Sequence, residues 1–103
     1  MYDYIVGKLA ELTPTHAVVE IGGLGYHVNI SLQTYSAING MTEVKLYLHQ
    51  VIREDVHLLY GFFEAKEREI FRLLISVSGV GASTARLILS SLNADELQAA
   101  ILT

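Results

Sequence analysis

The stretch Leu74-Ile75-Ser76-Val77-Ser78-Gly79-Val80-Gly81-Ala82-Ser83-Thr84-Ala85-Arg86-Leu87-Ile88-Leu89 constrains this chain more than any other. Apolar residues recur at helical spacing on both sides of it. Ile70, Phe71, Leu74 and Val77 precede the glycines, and Ala85, Ile88, Leu89 and Leu92 follow them. The pattern predicts helix, glycine turn, helix. Gly79 and Gly81 permit positive φ and a close backbone approach, and Val80 between them is expected to plug the seam between the helices. Past Gly81, the amides of Ala82, Ser83 and Thr84 are expected to point out of the first turn of the second helix. Such amides form an anion site suited to a phosphate.

The spacing apolar-x-x-apolar-x-Gly-apolar-Gly-x-x-x-Ala-x-x-apolar-apolar resembles the helix-hairpin-helix motif of proteins that bind DNA without reading its sequence. Ala85 fits a place where two helices approach closely. Taken alone, Gly-Val-Gly fits equally well a short helical hairpin that merely packs.

A chain of 103 residues suffices for one compact domain, or a domain with a small appendage. Hydrophobic residues make up 51% and charged residues 17%, a ratio that suggests surface covered by a partner. No apolar run approaches the roughly 18–20 residues of a membrane span, and no secretion signal is visible. Cysteine is absent, so disulfides and thiolate metal sites are excluded, and a cytosolic location fits. The formal net charge of −4 argues against general attraction to polyanions. Any DNA contact must then rest on placed amides and a few cations.

Ahead of the helices the pattern is that of strands. Residues 1–12 read as a strand kinked at Gly7, with Thr13-Pro14-Thr15 as turn. His16–Ile21 and Gly25–Ile30 read as two strands joined by a tight hairpin at Gly22-Gly23-Leu24-Gly25, with room for a bulge. A strand follows these glycines where a nucleotide loop requires a helix, so they are turn glycines. Ser31 to Gly40 can hold one helical turn. Glu43–Ile52 and His57–Phe63 are further strands, interrupted by Arg53-Glu54-Asp55. Five short strands suggest a small Greek-key barrel of the OB type, with an SH3-like barrel as the nearest alternative. At Glu64 the period changes from about 2 to about 3.6, which separates a barrel over 1–63 from a helical region over 64–103. Glu64–Glu69 reads as a solvated, acid-rich first turn. Asn93 and Glu96 form a capping box for a third helix, Ala94 to Leu102, that ends without a glycine cap.

Three blocks together resemble the RuvA family of Holliday-junction recognition subunits. They are Ile5-Val6-Gly7-Lys8-Leu9, Glu20 to Val28, and Val51-Ile52-Arg53-Glu54-Asp55-Val56-His57-Leu58-Leu59-Tyr60-Gly61-Phe62. The resemblance runs the length of the chain. It implies an OB-fold barrel followed by a part with two helix-hairpin-helix motifs and a small mobile C-terminal domain. This chain matches the first and about half of the second, as a shortened form or a proteolytic remnant would.

The resemblance further implies structure-selective, sequence-independent binding of four-way junction DNA in recombination and repair. Assembly is implied as a tetramer, or as a pair of tetramers. Phosphate contacts fall on Gly79, Val80, Gly81, Ala82, Ser83 and Thr84, and on Arg53. Glu54 and Asp55 fall on the acidic pin that holds strands apart at the crossing point. The family usually has lysine where this chain has Ser83, and Arg86 beside Ala85 faces away from the phosphate. No catalytic residue, metal or cofactor is implied. Branch migration is driven by ATP on RuvB, which docks on the C-terminal domain, so this chain is not expected to recruit it. Without the family match, Glu54-Asp55 reads as an ordinary solvated turn. A second reading of the whole chain is an assembly module, an OB barrel that only makes subunit contacts, its useful DNA affinity lost through truncation.

The four histidines, His16, His27, His49 and His57, have no ligand spacing and read as surface or partner-facing. Tyr2, Tyr4, Tyr26, Tyr47 and Tyr60 can in principle stack bases. Barrel core or subunit interface is the better reading for them.

Overall fold

The computed structural model describes residues 2–91. The third helix, its capping box and Leu92 lie outside the described residues. Five strands, β1 (Tyr4–Leu12), β2 (His16–Ile21), β3 (Leu24–Asn29), β4 (Glu43–Arg53) and β5 (Val56–Phe62), form a closed barrel in the order β1-β2-β3-β5-β4. Helix α1 (Leu32–Ile38) crosses between β3 and β4. Helices α2 (Ala65–Ile75) and α3 (Ala82–Ser91) follow the barrel. This is the OB-type topology, with β1 pairing both β2 and β4 to close the cylinder.

The alternation of apolar residues explains which faces point inward. Ala17 and Val19 of β2 and Val44, Leu46 and Leu48 of β4 fall on one side of their strands and are buried. They meet Ile5, Val28, Ile30, Ile38 and Leu59 in the barrel core. Gly22 and Gly23 form the two-residue β2–β3 turn, with φ of 57° and 85°. That is the handedness that matches strand twist, and it explains the paired glycines. No extra residue interrupts this hairpin. The register irregularity lies instead on β1, between Leu9 and Glu11, beyond the expected kink at Gly7. The role of Gly7 is close approach: a Cβ there would lie 2.7 Å from the Glu20 carbonyl oxygen.

Strand β5 is shared between two cores. Leu59 faces the barrel interior, whereas Tyr60 and Phe62 join Ile70, Phe71, Ala85 and Leu89 in a second cluster beneath α2 and α3. The Phe71 ring lies 4.9 Å from Phe62 and 5.3 Å from Tyr60, centroid to centroid. The helices are therefore docked on the barrel wall by buried aromatic area. Gly61 sits between the two layers, and a Cβ there would collide with Cγ1 of Val28. Val28 is fully buried and stiff at χ1, so it cannot yield cheaply. Gly61→Ala is expected to destabilise the chain by about 1–3 kcal/mol, read as a lower midpoint in urea.

Two expectations are corrected. Residues 31–40 hold a seven-residue helix rather than a single turn. Ser31 caps it by accepting from the Thr34 amide at 3.2 Å, and Ile38 anchors it in the barrel. The first turn of α2 is not solvated throughout, since Glu67 and Arg68 are buried. Each is buried because the barrel supplies partners. The Glu67 carboxylate accepts from the Ser31 and Thr34 hydroxyls, both at 2.6 Å. Nη1 of Arg68 donates to the Asp3 carbonyl at 2.8 Å and to its carboxylate at 3.0 Å.

Candidate nucleic-acid interface

The turn between α2 and α3 begins at Ser76, and the Val80 amide donates to the Val77 carbonyl at 3.1 Å. Gly79 makes the reversal with φ of 86°. Gly81 does not take positive φ, contrary to expectation, and nothing lies within 4 Å of where its Cβ would be. It serves as the cap of α3, its carbonyl accepting from the Ala85 amide at 3.0 Å. Val80 is half-buried against the second core, filling the seam beside Ala85.

The amides of Ala82, Ser83 and Thr84 precede the first intrahelical bond of α3. Among the described residues none of them has a protein acceptor. Ser83 and Thr84 are exposed, and α3 carries no acid in its first turn to occupy the positive end of the helix. The local geometry is that of an anion cradle.

Arg53 closes β4 and pairs with Val56 across a two-residue turn made of Glu54 and Asp55. All three are exposed. Neither acid takes positive φ, so the turn is not of the twist-matched type that favours Asn-Gly. Two carboxylates thus stand at the tip of a long hairpin, in water.

The tertiary structure brings these two elements together. Val51, Arg53, Val56, Leu58 and Tyr60 form one wall of a groove of about 300 Å³, and Gly81, Ala82, Ser83 and Thr84 form the other. A second groove, of about 320 Å³, runs from His49, Gln50, Val51, Ile52 and Arg53 to Ile75, Val80, Gly81 and Ala82. Arg53 borders both. Arg53 and the three residues with unpartnered amides therefore line the same space, a set of donors that suits a phosphate diester. Gly79 lines neither groove and acts through the turn. Glu54 and Asp55 also lie outside them, one and two residues beyond Arg53.

Arg86 points away from this space: its Nη1 donates to the Ile30 carbonyl at 3.3 Å. Ser83 itself supplies no cation to the cradle, which leaves Arg53 across the groove as the nearby positive charge. Ser83→Lys is expected to tighten DNA binding several-fold. It should also steepen the fall of log affinity with log salt by about 0.9, as measured by a salt titration.

His49 is not among the expected site residues, yet it lines the second groove. Its Nδ1 accepts from Arg72 Nε at 3.3 Å, and its ring lies 5.3 Å from Phe71. Burial, then the charges of Arg72 and Arg68, lower its pKa from the ordinary histidine value. A histidine on a strand and an arginine on a later helix leave no joint signal in sequence, because β4 and α2 meet only in the fold. The other histidines are engaged elsewhere. His16 stacks on His27 at 4.3 Å and pairs with Glu11 at 2.8 Å, and His57 meets Gln50 at 2.7 Å. Among the described residues no three His, Cys, Asp or Glu side chains gather as a metal site. Tyr60 is buried, and Lys45 lies over the rings of Tyr4 and Tyr47. No described helix is long and apolar enough to cross a membrane.

Residues 1–61 match the family described as RuvA N terminal domain. Proteins called Holliday junction branch migration complex subunit RuvA are similar along nearly the whole chain. The Bacteroides fragilis protein is 59% identical over 97 residues, covering 94% of this chain and 48% of the relative. The Parabacteroides distasonis protein is 60% identical over 97 residues, 94% of this chain and 50% of the relative. The Christiangramia forsetii protein is 54% identical over 101 residues, 98% and 52% respectively. The chain spans about half the length of the curated relatives it matches.

Proposed function

The chain belongs to the RuvA N-terminal domain family, and from that premise we propose that it binds four-way (Holliday) junction DNA by shape, without reading bases. One observation carries the reading: Arg53 and Ala82 to Thr84, whose amides are unpartnered, line one groove beside the exposed Glu54-Asp55 turn. The groove side holds sugar-phosphate backbone, which fixes position and carries no sequence information. The acidic tip does the opposite work. Two carboxylates beside a crossing point repel phosphates and direct the strands into separate arms. A net charge of −4 suits this task, because it keeps general affinity for duplex low and leaves binding to placed contacts.

In this reading residues 1–63 form the unit that bears the acidic tip, and residues 64–103 the unit that grips phosphate. Four copies, or two sets of four, around a common axis supply the fourfold geometry of the junction. The chain itself carries out no chemical step. ATP-driven branch migration belongs to a RuvB partner of the full-length protein, in the bacterial cytoplasm.

A gel shift tests this with a four-way junction and a linear duplex of the same base composition. The junction is expected to be retained at salt concentrations that release the duplex, with affinity falling by about 0.9 log units per log unit of salt for each phosphate neutralised. Equal retention of the two DNAs would refute structure selectivity.

A further inference from the structure

The acidic tip belongs to the barrel and the amide cradle to α3, so their separation depends on how α2 and α3 are seated. A buried polar network holds that seat. The Thr34 hydroxyl donates to Glu67 Oε1 at 2.6 Å and accepts from the Phe63 amide at 3.1 Å, where β5 gives way to α2. The Ser31 hydroxyl donates to Glu67 Oε2 at 2.6 Å and accepts from the Thr34 amide at 3.2 Å. Each hydroxyl has one proton, and each sends it to the carboxylate. Both Glu67 oxygens are thereby satisfied, and α1 and α2 are joined at two points. On its other side α1 is joined to α3: the Leu32 amide donates to Ser90 Oγ at 3.0 Å, beside the Arg86 bond to Ile30. Short, directional, buried bonds of this kind specify one arrangement where apolar packing tolerates several.

We propose that Glu67 is a positioning residue for junction binding: held by Ser31 and Thr34, it sets the separation between the α3 amides and the Glu54-Asp55 turn. This rests on the binding reading above. Duplex is gripped chiefly by the α3 amides, which lie within one helical turn and survive a change of seat; it loses at most the contact with Arg53. A junction needs cradle and acidic tip in register, in every copy at once. A residue that merely stabilised the chain would weaken both DNAs alike; a positioning residue changes their ratio. Burial raises the pKa of Glu67, and its two hydroxyl donors oppose part of that rise.

The test uses the full chain with Thr34→Val, which removes the hydroxyl at nearly constant volume, and Thr34→Ser, which retains one. Glu67→Gln perturbs the other partner and keeps both hydroxyls, so it answers for a Thr34→Val chain that fails to fold. The chain has no cysteine, so spin labels can be placed at Asp55→Cys and Ser83→Cys and their separation measured by pulsed electron resonance. A narrow distance distribution is expected with Thr34 in place and with Thr34→Ser, and a broadened or shifted one with Thr34→Val or Glu67→Gln. In unlabelled chains, the junction-to-duplex affinity ratio is expected to fall about tenfold in the same two variants, with duplex affinity falling far less. An unaltered distance distribution in both folded variants would overturn the proposal, as would equal loss of both DNAs. Absence of junction preference in the parent chain would refute the binding reading instead, and the label distances would still decide the role of Glu67.

Discussion

Replacing Glu54 and Asp55 together with alanine is expected to tighten binding to four-way DNA and to loosen control over its shape. Both carboxylates are exposed at a two-residue turn, and removing them leaves the barrel core untouched. In water, a carboxylate about 6 Å from a phosphate costs roughly a threefold loss in affinity, so the pair accounts for about tenfold. Lysine at both positions should add attraction to the relief of repulsion and tighten binding further. The second readout is geometry. Dyes on the arm ends should report an open, square arrangement with the parent chain. With the alanine and lysine forms they should report a shift towards stacked arms. Weaker binding by either form would mean that the acids contact DNA favourably, for example through a bridging cation, and that the repulsive role is wrong.

The second large effect is expected at Gly79, whose φ of 86° lies where side chains are strained. Nothing lies within 4 Å of a Cβ built there, so the penalty for a side chain is purely one of backbone conformation. Gly79→Val is expected to cost about 1–2 kcal/mol in stability, or to relax the turn and displace the first turn of α3. Where the turn relaxes, the amides of Ala82 to Thr84 lose their aim beside Arg53, and junction affinity is expected to fall about tenfold. Gly79→Asn should be milder, because asparagine tolerates this region. Gly81→Ala is the informative contrast: ordinary φ and open space predict a change in stability within about 0.5 kcal/mol. Thermal unfolding and anisotropy titration on the three variants check the order. Equal damage from Gly79→Val and Gly81→Ala would contradict the assignment of the reversal to Gly79 alone.

Much of the architecture is legible because it depends on local pattern. The alternation in Ala17 to Val19 and Val44 to Leu48 marks barrel strands, Gly22-Gly23 marks a tight hairpin, and the change of period at Glu64 marks the start of helix. What pattern misses is long-range pairing. Glu67 and Arg68 look like solvent-facing charges in an acid-rich turn, and it is distant partners, Ser31 and Thr34 for the one and Asp3 and Leu48 for the other, that offset the cost of burying them. The second turn of α1 depends on Ile38 finding the barrel interior. The bulge on β1 has no marker residue, since a register shift is settled by the partner strand. The candidate site divides in the same way. Its residue types are visible in the Arg-Glu-Asp and Gly-Val-Gly stretches. That Arg53 and the residues from Gly81 to Thr84 line one groove, and that His49 lines the neighbouring one, arises only when β4 is packed against the helices.

The most direct measurement follows the backbone amides by heteronuclear NMR while four-way DNA is added to the isotope-labelled chain. Large shifts are predicted at Ala82, Ser83 and Thr84 and at Arg53, with a linear duplex producing smaller shifts at equal concentration. Unmoved signals at these four residues, with the shifts gathered instead on the barrel tyrosines Tyr2, Tyr4 and Tyr26, would contradict the account.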